Sequence, residues 1–332
     1  MTTFRRGRGR RARCPGRSGV LALAVALLAA LAGCGGSRSG LEEVGDFGSN
    51  PGDLRMFVHV PPALPPGAPL VLALPGCTQT AEDYREAGWN ELADRAGFTV
   101  VYAEQRRRNN ASRCFNWFLP GDTARGAGEV LSLVEMVREA GRRTSADPRR
   151  VYVTGLSAGG AMAAALLATY PDVFAAGGIL AAGPYGCASD LRESVGCLLG
   201  RVDRPAEEWG RQARAAAPGH VGPYPRVSLW HGADDRVVDP ANLRESTEQW
   251  TAVHGLSGAG GEAERVRGAE HVVWRDGSGR PVVESWLVDG LGHAAPVDPG
   301  TGPEQGGAVG DYLDDADLFA TLHLARFFGL VA

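Results

Sequence analysis

Ser157 lies in the pattern G-x-S-x-G, between Gly155 and Gly159. Residues 151–154 are β-branched or aromatic and predict a short buried strand, and residues 161–167 predict an alanine-rich helix. A serine between a strand and a helix is typical of a nucleophile elbow, which lifts the hydroxyl above the strand ends. The helix N-terminus beneath it favours developing negative charge. Because the chain has 47 glycines, the bare pattern is weak, and this interpretation depends on suitable partners elsewhere.

A serine nucleophile needs a base that takes its proton. Among the seven histidines, His293 follows a predicted strand within a glycine-containing loop, the flexible setting that a mobile base requires. Five of the other six fall within predicted strands or helices, or in a loop without a motif, and are interpreted as packed or surface residues: His59, His220, His254, His271 and His323.

The base in turn needs an acid that fixes its tautomer. Asp235 is the preferred candidate, in the loop that follows a predicted strand over residues 227–230, and Asp234 remains the alternative. Asp239 directly precedes Pro240 and better suits the start of the next helix. The chain order Ser…Asp…His fits the α/β-hydrolase order and excludes the chymotrypsin and subtilisin orders.

Attack on a carbonyl also requires donors for the oxyanion. One expected donor is the backbone N–H of Ala158, directly after the serine. The second is expected in the loop after an early strand, where Gly76 lets the backbone approach and the N–H of Cys77 donates. The candidate substrate-pocket residues are Gln79, in this loop, and Trp117, in an aromatic segment.

Predicted strands and helices alternate along the chain, from a strand at residues 55–60 to a closing helix at 315–328. A helix is expected at residues 81–96, and a hairpin around residues 276–279. The alternation predicts an α/β fold with a mostly parallel central sheet and helices on both faces. Residues 51–332 are therefore expected to form one catalytic domain.

The N-terminal region resembles a targeting segment. Residues 5–17 are basic and residues 20–31 are apolar, a length typical of a signal peptide rather than of a membrane span. This run ends Leu-Ala-Gly-Cys34, as in a bacterial lipobox. We expect a lipoprotein signal peptide over residues 1–33, lipidation of Cys34 and a flexible tether over residues 34–50. The alternative is an ordinary secretory signal with a chance cysteine.

The number and spacing of the cysteines indicate the cellular compartment of the protein. Besides Cys14 and Cys34, four cysteines remain, an even number that suggests two disulfides in an exported protein. Cys187 and Cys197 are close in sequence and predict a local bridge, which leaves Cys77 with Cys114. No cluster of cysteine and histidine residues suggests a metal site.

The charge is unevenly distributed along the chain. Seven of the 34 basic residues and none of the 38 acidic residues lie in residues 1–33, so the remainder carries a net charge of −11. This negative charge argues against nucleic acid as a binding partner.

Over roughly residues 70–330 the chain resembles the esterases typified by extracellular polyhydroxybutyrate depolymerase catalytic domains and by feruloyl and acetylxylan esterases. The resemblance implies a Ser157/Asp235/His293 triad with oxyanion donors at Cys77 and Ala158, and it favours Asp235 over Asp234. Pro75 departs from the histidine that the family usually has there. The motifs that carry the resemblance start at Gly76, Gly88, Cys114, Arg125, Asp147, Tyr170, Pro184 and His231.

The resemblance implies a serine esterase, and the lipobox-like segment adds the expectation that it is exported and lipid-anchored on the outer side of the cytoplasmic membrane, or is periplasmic or extracellular. Its expected substrates are polyhydroxybutyrate or polyhydroxyalkanoate oligomers or short aliphatic esters, and no cofactor or metal is required. One alternative is a feruloyl or acetylxylan esterase acting on plant cell-wall esters. Another is a binding lipoprotein that keeps the hydrolase fold without catalysis. The sequence does not indicate an oligomeric state.

Overall fold

The computed structural model describes residues 40–332. The predicted signal peptide and the lipidation site at Cys34 lie outside these residues. Between residues 40 and 332, no helix combines the length and the apolar character needed to cross a bilayer.

A ten-stranded sheet forms the centre of the described chain, in the order β1-β2-β4-β3-β5-β6-β7-β10-β9-β8. Its six central strands, from β4 to β10, are parallel, and the two strands at each edge are antiparallel. Strands β11 and β12 form a separate parallel pair. The strands are β1 (Glu42–Val44), β2 (Arg55–His59), β3 (Leu70–Leu74), β4 (Thr99–Glu104), β5 (Val151–Leu156), β6 (Ala176–Leu180), β7 (Arg226–Gly232), β8 (Glu262–Val266), β9 (Ala269–Arg275), β10 (Pro281–Val288), β11 (Ala295–Val297) and β12 (Leu313–Asp315).

Helices follow most of the parallel strands, as the crossover between parallel neighbours requires. The α-helices of the described residues are α1 (Ala81–Arg85), α2 (Trp89–Ala96), α3 (Pro120–Thr123), α4 (Gly128–Thr144), α5 (Ala158–Thr169), α6 (Leu191–Leu198), α7 (Ala206–Ala215), α8 (Ala241–Val253) and α9 (Ala320–Phe328).

The sheet separates two hydrophobic cores. Side chains alternate along a strand, so Leu72 and Leu74 of β3 point into one core while Val71 and Ala73 point into the other. Helices α4, α5 and α8 cover the first face, and α1, α2 and α9 cover the second. Every residue of α5 is buried. This explains why its sequence is apolar on all sides rather than amphipathic.

The carboxyl ends of the parallel strands lie at one edge of the sheet, where α/β folds place their ligand sites. Strand β5 delivers Ser157 to this edge, and β3 delivers the loop that begins at Pro75. Strand β7 leads into the loop that holds Asp235, and β10 leads into the loop that holds His293. Four strands therefore position the candidate site.

Three expectations differ from the structure. The expected tether includes residues 40–50, but Glu42–Val44 pair with β2 as an edge strand because Leu41, Val44 and Phe47 bury apolar side chains. The expected helix at residues 81–96 is broken at Gly88, whose φ of 89° no continuous helix allows. The closing helix starts at Ala320 rather than at residue 315, since Asp315 pairs in β12.

Candidate active site

Ser157 occupies a strained turn between β5 and α5. Its φ is 56° and its ψ is −119°, a conformation that non-glycine residues rarely adopt. The flanking glycines allow it. A Cβ on Gly155 would come within 2.4 Å of the Gly159 backbone, and a Cβ on Gly159 within 2.2 Å of the Leu74 carbonyl oxygen. The turn therefore has the tight packing that a nucleophile elbow needs.

The structure brings Ser157, Asp235 and His293 into one hydrogen-bonded chain. His293 Nε2 lies 2.9 Å from Ser157 Oγ, and His293 Nδ1 lies 2.7 Å from Asp235 Oδ2. A carboxylate can only accept, so the proton sits on Nδ1, and Nε2 accepts the hydrogen bond of the serine hydroxyl. The serine is thereby placed to lose its proton to the imidazole.

Asp234, the alternative acid, has an exposed side chain, and its backbone N–H donates to the Leu291 carbonyl. Asp239 accepts a hydrogen bond from the N–H of Ala241 at the first residue of α8. Of the acidic side chains in this loop, Asp235 is thus the one that contacts His293.

The Asp235 carboxylate is buried, accepts three hydrogen bonds and lies beside His231. The N–H groups of Val237 and Val238 donate to its Oδ1 at 2.8 and 2.9 Å, and His293 donates to its Oδ2. His231 Nε2 lies 2.9 Å from the Val238 carbonyl oxygen and 3.4 Å from Asp235 Oδ2. Burial alone raises the pKa of the Asp235 carboxyl, but the hydrogen bonds of His231 and His293 outweigh it and hold this pKa well below its usual range.

Sequence reasoning had overlooked His231 as a contact of the acid. It is the penultimate residue of β7 and has a buried side chain, whose Nδ1 has no hydrogen-bond partner among residues 40–332. The one signal in the sequence was its spacing, four residues before Asp235 in a loop that leaves a strand.

The two backbone N–H groups expected from the sequence to serve as oxyanion donors have no partner within the described residues. Neither the N–H of Cys77 nor that of Ala158 donates a hydrogen bond within residues 40–332.

Gln79, expected in the substrate pocket, lies elsewhere. Its side chain is buried behind the loop and lines neither cavity at Ser157. Its side chain accepts from the Gly76 N–H at 2.8 Å and donates to the Asp311 carbonyl at 2.6 Å. Gln79 thus fixes the loop rather than facing substrate.

A disulfide joins the Cys77 loop to Cys114, and a second disulfide joins Cys187 to Cys197. The Thr78 N–H also donates to the Ser112 carbonyl, at 2.6 Å. The conformation of the segment around residue 114 therefore bears directly on the position of the Cys77 N–H.

This segment is anchored by a buried carboxyl group of α4. Glu129 accepts from the backbone N–H and the side-chain amide of Asn116, both at 2.8 Å, and from Gln105 Nε2 at 2.6 Å. Burial raises the pKa of Glu129 to about 8 despite these donors. An ionisable group thus supports the loop that carries the expected oxyanion donor.

Two cavities meet at Ser157. The larger one, about 320 Å³, is mostly apolar and extends between α6 and the segment that contains Trp117 and Phe118. The smaller one, about 110 Å³, lies beside His293 and Tyr312. Tyr312 has a φ of 61° and its ring meets the His293 imidazole edge-on, with 6.0 Å between ring centroids. No feature of the sequence had pointed to Tyr312.

One group of acidic side chains among the described residues has the spacing of a cation site: Asp298, Asp315 and Asp317, whose oxygens lie within 4.8 Å of one another. Arg267 Nη1 lies 3.3 Å from Asp298 Oδ2 and supplies positive charge to this group. None of the three aspartates lines a cavity at Ser157.

His231 should position Asp235 and thereby influence turnover. We expect His231→Phe to lower kcat by about 10- to 100-fold with little change in KM, because the acid loses a polar neighbour while the substrate cavities stay intact. His231→Gln, which keeps a donor, should restore part of the loss of kcat. His254→Gln, at a histidine bonded to the Pro225 carbonyl, is the matched control. A variant His231→Gln that regains the melting temperature of the wild type but none of the lost kcat would contradict this positioning role, and so would a rise in KM that accounts for the whole effect of His231→Phe.

Glu129 should make stability depend on pH. Between its ordinary value of 4.5 and about 8, the carboxyl is protonated in the folded protein and ionised in the unfolded chain. The folded state then binds more protons, so the free energy of unfolding falls as pH rises through this window. The melting temperature of the wild type minus that of Glu129→Gln should therefore decrease between about pH 5 and about pH 8. A difference that stays constant for Glu129→Gln over this range would refute the assignment.

Comparisons with known proteins agree with this geometry. Residues 56–273 match the family described as Esterase PHB depolymerase. The chain is 46% identical to the poly(3-hydroxyalkanoate) depolymerase C of Paucimonas lemoignei, over 88% of this chain and 70% of that protein. It is 32% identical to the feruloyl esterase B of Talaromyces funiculosus, over 78% of this chain and 74% of that protein.

A solved structure shares the fold. The acetyl xylan esterase from Aspergillus awamori superposes with a TM-score of 0.75 at 25% identity, over 88% of this chain and 99% of that one. The predicted α/β-hydrolase fold is confirmed, and an ester hydrolase is favoured over a non-catalytic binding protein. The chain belongs to the Esterase PHB depolymerase family and is a carboxylic ester hydrolase.

Proposed function

We propose that Ser157, His293 and Asp235 catalyse ester hydrolysis through an acyl-enzyme. The supporting observation is the continuous hydrogen-bonded chain from Ser157 Oγ to the buried Asp235 carboxylate. His293 Nε2 takes the hydroxyl proton as Ser157 Oγ attacks the ester carbonyl carbon, and Asp235 stabilises the imidazolium. The tetrahedral intermediate collapses as His293 returns the proton to the departing alcohol oxygen. Water, deprotonated by the same imidazole, then releases the acid from Ser157.

The oxyanion of the intermediate accepts hydrogen bonds from the N–H groups of Cys77 and Ala158 in this proposal. Their lack of partners within residues 40–332 supports it, since a donor left free beside the nucleophile is available to developing charge. The position of Ala158 at the N-terminus of α5 adds a favourable helix dipole.

The two cavities suggest which side of the ester each one binds. His293 must reach the leaving oxygen, so the alcohol portion lies in the small cavity beside His293 and Tyr312. The acyl portion then lies in the larger cavity, among Trp117, Phe118 and Leu198. Its apolar lining suits an aliphatic acyl chain.

These features support polyhydroxyalkanoate oligomers or short aliphatic esters as substrates, in line with the relative from Paucimonas lemoignei. Feruloyl esters are the second candidate, because Trp117 and Phe118 offer aromatic faces against which a ferulate ring can pack. The names of a fungal relative and of the superposed structure give acetylxylan as the substrate. An acetyl ester would place a far smaller acyl group in this cavity.

The two disulfides indicate an oxidising compartment, outside the reducing cytosol. For the location we further propose that Cys34 carries a lipid and holds the enzyme at the outer side of a membrane. The lipobox-like end of the apolar run at residues 20–31 supports this proposal.

Replacement of the nucleophile tests the mechanism. Ser157→Ala and His293→Ala should each lower kcat on p-nitrophenyl butyrate by about 10⁴-fold or more, because triad members act as a unit. Ser278→Ala, in the β9–β10 turn at the opposite end of the sheet, should leave it unchanged. Hydroxybutyrate oligomers and methyl ferulate, assayed side by side on the wild type, separate the two substrate classes. Equal rates for wild type and Ser157→Ala would refute the mechanism.

Mass analysis of the mature protein tests the anchor. The first residue should be Cys34 with a thioether-linked diacylglycerol, and Cys34→Ala should release the enzyme from membranes. An unmodified residue after the cleavage point, or membrane retention of Cys34→Ala, would contradict lipidation.

A further inference from the structure

Large apolar side chains that face solvent gather near the mouth of the larger cavity. In residues 40–332 nine large hydrophobic residues are exposed, and five of them lie on α6 or its C-cap or line the two cavities at Ser157. A concentration of exposed apolar groups at one place marks an interaction surface. The five are Leu191, Val195, Leu199, Val237 and Tyr312.

Three of these residues repeat every fourth position on α6. Leu191 is 66% exposed, Val195 is 52% exposed and Leu199, the C-cap, is 43% exposed. Residues spaced by four lie on the same side of a helix, so they form one apolar stripe that faces water. We call these three residues the α6 stripe. It is not needed to fill a core, because none of its members belongs to the buried clusters.

Helix α6 is held firmly in place. The disulfide from Cys187 to Cys197 closes the segment, and the Asp190 side chain caps the helix at the N–H of Glu193. At the other end, the Asn242 side chain donates to the Cys197 carbonyl and the Asp239 N–H donates to that of Leu198. The stripe therefore faces solvent on a helix that is fixed at both ends.

The α6 stripe is continuous with the cavity assigned to the acyl chain. Leu191 belongs to both, and Ser194 and Leu198 on the inner side of the same helix line the cavity wall. Across the mouth, Val237 is 53% exposed and also lines the cavity. An apolar chain that lies on the stripe can thus enter the cavity beside Leu191.

The net charge of the protein limits which kind of surface can bind the α6 stripe. Residues 34–332 carry a net charge of −11, which repels an anionic lipid surface. An uncharged aliphatic polyester surface carries no such repulsion and presents apolar groups next to ester bonds. Such a surface would contact the stripe while one of its chains enters the cavity.

We propose that the α6 stripe docks the enzyme on the surface of a water-insoluble aliphatic polyester. This inference rests on the proposed substrate class, and adsorption is a step distinct from bond cleavage. Burial of the three side chains against the polymer drives the contact, and Ser157 is then presented to chains at that surface.

The test uses purified protein, polyhydroxybutyrate granules and the double variant Val195→Ser/Leu199→Ser, which leaves Leu191 in place because that residue also lines the acyl cavity. We expect the partition onto granules and the rate of granule hydrolysis to fall by about tenfold or more, while kcat/KM on dissolved p-nitrophenyl butyrate changes less than about threefold. The control Val60→Ser/Val221→Ser removes apolar side chains that are 44% and 99% exposed near the opposite edge of the sheet, and it should adsorb like the wild type. All variants share one N-terminus, so an attached lipid affects them equally.

Three other outcomes overturn the docking role, and a fourth separates docking from cleavage. Adsorption of the double variant equal to that of the wild type excludes docking through the stripe. Wild-type binding to phosphatidylcholine vesicles but not to granules, lost in the double variant, assigns the stripe to membranes. A wild-type dimer that dissociates in the double variant, seen by sedimentation, assigns the stripe to self-association. Wild type that adsorbs through the stripe but leaves granules intact refutes polyester cleavage while docking stands, so failure of the substrate proposal is seen separately.

Discussion

The turn between β5 and α5 is the constraint on which the rest of the site depends. The backbone of Ser157 is forced to a φ of 56° because the strand before it and the buried helix after it leave no room for a looser connection. Gly155 and Gly159 make that contact possible, since a methyl group on either would overlap neighbouring backbone. The strain keeps the hydroxyl above the sheet edge and leaves the Ala158 N–H free.

Around this turn, buried polar groups hold the reacting groups from behind. His231 and two backbone N–H groups hold Asp235, Gln79 links the Cys77 loop to the Asp311 carbonyl, and Glu129 fixes the segment after Cys114. None of these three side chains lines a cavity at Ser157. Their role is geometric, because a hydrogen-bonded side chain in the interior has few alternative positions.

The sequence pointed to the three residues that the structure brings together. The elbow pattern indicated Ser157, and the loops after predicted strands indicated Asp235 and His293. Those signals are local, and parallel strands bring their carboxyl ends together in any fold of this class. Gln79 and Tyr312 depend instead on contacts between distant segments, since 232 positions separate Gln79 from Asp311. His231 lies only four residues before Asp235, but its approach to the carboxylate depends on how that loop folds back. The edge strand Glu42–Val44 was missed for a related reason, because a short strand forms only where a partner edge is available.

The bridge from Cys77 to Cys114 has a consequence for when the loop beside the nucleophile becomes fixed. One of its two cysteines supplies the backbone donor proposed for the oxyanion, so the loop is covalently fixed only after thiol oxidation. A newly made chain in a reducing cytosol keeps the hydrogen bond from Thr78 to Ser112 but lacks the covalent restraint. The covalent restraint on the proposed oxyanion loop is thereby coupled to the redox state of the compartment in which the enzyme folds.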